Sequence, residues 1–171
     1  MTEPRASRPY MPGYGLLGPS EGTGLLPWHW ARERLRESRN YWAVTLWPDG
    51  RPHAMPIWGV WDQETFWFSS GLRSRKARNV AGDPRCVITT EDALNPVTVE
   101  GSADVVRDAD EVARVLGLIN DKYLSDLPLE FMDPDVNATI RVRPRWAFGL
   151  AEEDFTGSPT RWSFDDAAAG T

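Results

Sequence analysis

Apolar and polar positions change their period several times along the chain, and each change marks an element. Tyr41 to Trp47 is dense in aromatic and β-branched residues and ends at Pro48-Asp49-Gly50, a strand followed by a turn. A second strand is predicted over about Arg51 to Trp61, a turn at Asp62-Gln63-Glu64, and a third strand over Thr65 to Ser70. Pro52 and Pro56 cannot donate ladder hydrogen bonds, so the second strand must be edge-exposed or bulged there. Arg85 to Thr90 and Val97 to Val106 read as two further strands around the polar turn Glu91 to Pro96. Thr139 to Val142 and Trp146 to Leu150 are predicted as strands interrupted at Pro144, and Thr160 to Phe164 as a short last strand.

Helical spacing occurs in three places. Trp28 to about Ser38 starts at Pro27 and carries mixed charge. Ser74 to Ala81 has Ser74 as its N-cap and Gly82 as its stop. Asp108 caps Ala109 to Leu124, where Val112, Val115, Leu116 and Ile119 form one apolar face. Residues 1–27 alternate Pro with Gly, which suppresses regular structure. Tyr10, Met11, Tyr14, Leu16 and Leu17 are too apolar for a purely solvated arm, so it is expected to lie along a surface groove. The plan is an extended arm over 1–27, one domain over 28–164 and a tail over 165–171 that frays. Six or more antiparallel strands with few helices make the fold mainly β, a closed or nearly closed barrel.

Composition narrows the class. A chain of 171 residues with 41% hydrophobic positions fills one core, and 26% charged residues argue against disorder. A net charge of -6 weighs against a general nucleic-acid binder. No apolar run approaches the roughly 18 residues of a membrane span, and no secretory signal is legible. A single cysteine forms no internal disulfide, and the expected setting is the cytoplasm. Nine Trp are a heavy load of rings that need apolar cover or a planar partner. With two His and one Cys, the acid–base inventory is thin.

Several segments could carry chemistry. Gly13-Tyr14-Gly15-Leu16-Leu17-Gly18 has the letters of a dinucleotide fingerprint, but a Pro-rich coil precedes it and Pro19 follows, so the required strand and helix are missing. Ser74-Arg75-Lys76-Ala77-Arg78-Asn79 opens a helix directly after the strand Phe66-Trp67-Phe68-Ser69-Ser70. Free N–H groups, the helix dipole and three cations would converge there on one phosphate. A solvated basic helix face fits the same spacing. His53-Ala54-Met55-Pro56-Ile57-Trp58 lies on the Pro-interrupted strand, where an unpaired edge leaves backbone groups for a planar heterocycle; a plain edge strand reads identically. Ser69 and Ser70 are hydroxyl donors or turn residues. His29, His53 and Cys86 have no zinc-like spacing, and Cys86 reads as a buried, inert thiol.

The order of these pieces resembles the flavin-reductase and pyridoxamine 5'-phosphate oxidase-like split β-barrel superfamily. Asp49-Gly50-Arg51-Pro52-His53 through Pro56-Ile57-Trp58 carry the resemblance, followed by Phe66 to Ser70, Ser74 to Asn79, Asp83-Pro84-Arg85 and Val99-Glu100-Gly101. It covers about residues 26–164 and implies a six-stranded antiparallel split β-barrel that pairs as a homodimer, with a flavin-type cofactor at each of two interface clefts. It further implies that Ser74, Arg75 and Lys76, with Arg78 and Asn79 in the same segment, hold the cofactor phosphate. Met55, Pro56, Ile57 and Trp58 would face the tricyclic ring, with Ser69 and Ser70 beside it. Arg161 and Trp162 match a C-terminal segment that approaches the neighbouring protomer's cleft. The chain lacks the basic, His-containing terminus of a true pyridoxamine phosphate oxidase and looks more like the branch that uses the deazaflavin coenzyme F420.

The resemblance therefore implies F420-dependent hydride transfer to a flat, apolar organic acceptor, with FMN as the alternative cofactor and no metal. The sparse inventory suits such chemistry, because the cofactor supplies the hydride and the protein binds and orients. A proton, where one is needed, would come from solvent, a Tyr or His53, and no catalytic residue beyond the candidate His53 is assigned. An FMN-dependent oxidase or reductase, a non-catalytic cofactor carrier, a haem-binding relative and a barrel dimer that binds nothing remain open.

Overall fold

The computed structural model describes residues 3–164; the fraying expected of 165–171 lies outside them. The strands are β1 (Arg5–Ser7), β2 (Tyr41–Leu46), β3 (Pro52–Ile57), β4 (Val60–Asp62), β5 (Thr65–Gly71), β6 (Arg85–Thr90), β7 (Val97–Val106), β8 (Asn137–Gly149) and β9 (Thr160–Ser163). The α-helices are α1 (Trp28–Glu37), α2 (Arg75–Gly82) and α3 (Ala109–Tyr123). All strand pairs are antiparallel, in the order β1-β9-β8-β7-β6-β2-β3, with β5 joined to β8 on one side and β4 on the other. Because β4 continues β3 after Trp58-Gly59, this path closes on itself. Six staves therefore make the barrel: β2, β3 with β4, β5, β8, β7 and β6.

Alternation sets the inside. Tyr41, Ala43 and Thr45 of β2 are buried while Trp42 stands outward, and Cys86, Ile88 and Thr90 repeat the pattern on β6. With Phe66, Phe68, Val97, Val99, Ile140 and Val142 they fill the barrel. Truncating a ring such as Phe66 to Ala costs about 3–5 kcal/mol. A second core forms where Val112, Val115, Leu116, Ile119 and Tyr123 of α3 cover Val60, Trp67 and Val106.

Two expectations are corrected. The arm is not without regular structure: β1 pairs with β9, and the Arg8 guanidinium donates to the carbonyls of Leu17 (3.1 Å), Gly18 (2.9 Å), Gly157 (2.5 Å) and Pro159 (2.8 Å). This strand pairs with the far end of the chain, which local pattern does not reveal. Nor does Pro144 interrupt its strand. Pro144 pairs with Gly101 and Trp146 with Glu100, so Arg145 is an extra residue, and the resulting bulge accommodates the missing N–H. Gly101 is needed there, since a Cβ would lie 2.2 Å from the Arg143 carbonyl oxygen.

Candidate cofactor site

The barrel splits beside β4. Its ladder with β5 ends at Val60↔Trp67. Beyond that point β3 is paired only with β2, and Phe68–Gly71 of β5 only with β8. Two unpaired edges thus diverge from one point, and their N–H and C=O groups need partners. The Pro residues of β3 explain why its edge tolerates this: Pro52 and Pro56 have no N–H to lose.

The helix α2 opens directly after β5. The Ser74 N–H donates to the Gly71 carbonyl across 2.8 Å, and the Ser70 and Ser74 hydroxyls lie 2.9 Å apart. Ser74 accepts the Ala77 N–H at 3.2 Å and so caps the helix. The N–H groups of Arg75 and Lys76 lie in the first turn, where no helical carbonyl precedes them. Burial lowers the Lys76 ammonium from the ordinary lysine range. A nearby anion would favour its charged form again.

Trp47, which sequence reasoning did not single out, ties this helix start to β3. The Arg75 guanidinium lies 4.0 Å and that of Arg51 4.8 Å from its ring centroid, while His53 meets it edge-on at 5.9 Å. The only signal in the sequence was an aromatic placed just before the Pro48-Asp49-Gly50 turn. The His53 Nδ1 and the Ser69 Oγ are buried without a hydrogen-bond partner.

The expected residues divide by position. Met55, Pro56 and Trp58 are exposed along the β3 edge, and Ser69, Ser70, Ser74, Arg75 and Lys76 are half-buried where β5 passes into α2. Arg78 folds back and donates to the Arg73 carbonyl at 3.0 and 2.7 Å. Asn79 is buried, with its amide donating to the Thr45 hydroxyl at 3.0 Å and its Oδ1 unpartnered. The Ile57 side chain is buried in the barrel, which leaves only its backbone to a ligand. Trp162 requires a correction: it is 0% exposed and packs edge-on against Trp28 at 5.5 Å, so its ring is core and faces no cleft.

Arg161 is elsewhere on the same surface. Paired residues place Pro56, Trp42, Thr89, Thr98, Phe148 and Arg161 in one row across β3, β2, β6, β7, β8 and β9. Five strand spacings of about 4.8 Å put Arg161 roughly 24 Å from β3 along the sheet. Its guanidinium lies 4.4 Å from the Trp146 ring centroid.

Cys86 is buried, and its thiol is pushed up to about 12, as expected of an inert core thiol. Among the described residues no three His, Cys, Asp or Glu side chains form a metal-binding group, and no helix is long and apolar enough to cross a membrane.

The profile of the pyridoxamine 5'-phosphate oxidase family matches residues 29–150. Among solved structures, an F420 reductase is 28% identical with a TM-score of 0.55, covering 66% of this chain and 91% of its own. A conserved hypothetical protein of Mycobacterium tuberculosis is 21% identical, TM-score 0.61, over 81% of this chain and 89% of that one. The heme storage protein of Vibrio cholerae is 19% identical, TM-score 0.53, over 68% and 85%. The last two likenesses are of fold alone. Among curated proteins none matches at a significant level. The profile spans well over half the chain and the barrel is split as that superfamily's is, so the chain belongs to the pyridoxamine 5'-phosphate oxidase family, a flavin-type cofactor fold whose members are commonly oxidoreductases.

Proposed function

We propose that this protein is an F420-dependent oxidoreductase that takes the deazaflavin in the split of its barrel and passes hydride to a flat, apolar organic acceptor. The observation that carries the reading is the meeting of two unpaired strand edges with the capped N-terminus of α2. Ser74, Arg75 and Lys76 would hold the phosphate, through first-turn N–H groups and two cations. Arg78 and Asn79 support that turn from behind. Met55 to Trp58 offer backbone groups to the polar rim of the ring, with the Ser69 and Ser70 hydroxyls beside it.

The residues present fit such a group. The buried, unpartnered His53 Nδ1 and Ser69 Oγ each cost about 1–3 kcal/mol unless a ligand satisfies them. Bound deazaflavin supplies the hydride; the chain binds, orients and excludes water. His53 is the proton donor of this proposal. The likeness to an F420 reductase supports F420 as the cofactor, and the family profile keeps FMN as the second reading.

The functional unit of this reading is a homodimer in the cytoplasm. Trp42 is 45% and Trp146 41% exposed on the outward sheet face, with Val44 and Val87 between them. A second copy would cover these side chains and bring its own Arg161 towards the cleft.

The test is turnover. Reduced F420, mixed with protein and a naphthoquinone, should regain the visible absorbance of its oxidised form at a rate proportional to protein. A rate equal to the protein-free control contradicts the proposal, and turnover with reduced FMN alone moves it to the flavin reading.

A further inference from the structure

Trp58 stands where β3 gives way to β4, at the point from which the two free edges diverge. Its indole lies on the Tyr123 ring, with centroids 4.2 Å apart and planes at 6°. Every other close aromatic pair among the described residues is tilted or edge-on. Trp58 nevertheless remains 45% exposed, so Tyr123 covers one side of the ring only.

The next residue is held unusually firmly. The Gly59 N–H donates to the Tyr123 hydroxyl at 2.8 Å, and that hydroxyl donates to the Arg39 carbonyl at 2.7 Å. The Gly59 carbonyl accepts from the Lys122 ammonium at 3.0 Å, and Lys122 also donates to the Tyr41 hydroxyl at 2.5 Å. No other residue fits at Gly59, because a Cβ would lie 2.2 Å from Phe66 and 2.9 Å from the Trp67 carbonyl oxygen. Both backbone groups of Gly59 are engaged by the end of α3, and Trp58 inherits a fixed position. A ring fixed before a ligand arrives loses little freedom on binding, which is what a stacking platform requires.

We propose that Trp58, backed by Tyr123 and positioned through Gly59 by Lys122, is the shelf on which a planar aromatic acceptor stacks. This rests on the oxidoreductase reading for the word acceptor; the stacking itself stands on the geometry. An apolar but saturated molecule of the same size would lack the flat π-face and would not be held.

The full chain, labelled with fluorotryptophan, tests this by fluorine NMR without any cofactor. The Trp58 resonance is assigned by its loss in Trp58→Phe. Menadione, a naphthoquinone, should shift that resonance saturably, and decalone, its saturated bicyclic counterpart, should not. Trp58→Ala and Tyr123→Leu should each weaken menadione about tenfold, the scale of a lost stacked ring. With its circular dichroism unchanged, Trp58→Ala should weaken F420 by a smaller factor. An unmoved Trp58 resonance, an equal response to decalone, or an equal loss of F420 affinity overturns the shelf, as does a Trp58→Ala effect confined to oligomeric state. Menadione stacking with no F420 or FMN binding would keep the shelf and defeat only the cofactor reading.

Discussion

The hydroxyls of Ser70 and Ser74 lie 2.9 Å apart, and this contact joins the free end of β5 to the cap of α2. Ser74 accepts the Ala77 N–H as well, so one side chain fixes both the helix start and the turn that presents it. Ser74→Ala should lower stability by about 0.5–2 kcal/mol, the worth of an N-cap. In the same variant F420 should bind less tightly, because the first-turn N–H groups lose their alignment. Denaturant unfolding and a cofactor titration check the two halves, and an unchanged affinity would detach the cap from the site.

Arg75 and Lys76 carry the charge of the phosphate site. Each replaced by Ala should weaken FMN or F420 by about tenfold, or about 1.4 kcal/mol, as charge-assisted hydrogen bonds are lost. Riboflavin has the ring without the phosphate, and its affinity should hardly change. Equal losses for FMN and riboflavin would show that these residues act on folding and not on the phosphate.

Sequence pattern located most of this frame. Ser74 and Asp108 were readable as caps because a hydroxyl or carboxylate before an amphipathic run has a local partner, the Ala77 or the Glu111 N–H. The strands Arg85–Thr90 and Val97–Val106 likewise follow from alternation and turn residues. What was not legible depends on distant partners. Arg5–Ser7 is a strand only because β9 lies beside it, and Pro144 stays in β8 only because Gly101 allows a bulge opposite. Trp162 shares the look of a site tryptophan but lies beneath Trp28, and only packing separates the two. Trp47, Lys122 and Tyr123 carried no motif; the fold brings them to the split.

Arg8 pins the arm by its guanidinium, while the Asp154 carboxylate accepts the Thr23 N–H at 2.6 Å and the Gly157 N–H at 2.9 Å. Arg8→Ala should release residues 9–24 and leave the barrel folded. Limited proteolysis should then cut the arm far faster, with a small change in melting temperature. Equal protection in both proteins would mean that β1 alone holds the arm.

Lys122 gives the stability a pH signature. Burial drops its ammonium to about 8, against an unfolded value near 10.4. The unfolded chain therefore binds more protons between these values, and stability contributed by this group rises as pH climbs from about 8 towards 10. Glu91 acts in the opposite direction on Lys122, and Tyr41, Tyr123 and Arg39 face the same pocket. Both tyrosines are raised by burial, so their own loss of stability starts only near the top of this window. Lys122→Met should flatten the rise, measured by unfolding at matched pH values; a rise of the same slope would assign it to another group.

The proposed F420 chemistry requires a preference for deazaflavin in the split of the barrel. Cofactor-stripped protein titrated with F420 and with FMN, followed by quenching of cofactor and Trp fluorescence, measures it directly. F420 should bind at micromolar concentration or tighter, and FMN more weakly. Tighter FMN binding would contradict the deazaflavin assignment, and binding of neither would contradict the cofactor site itself.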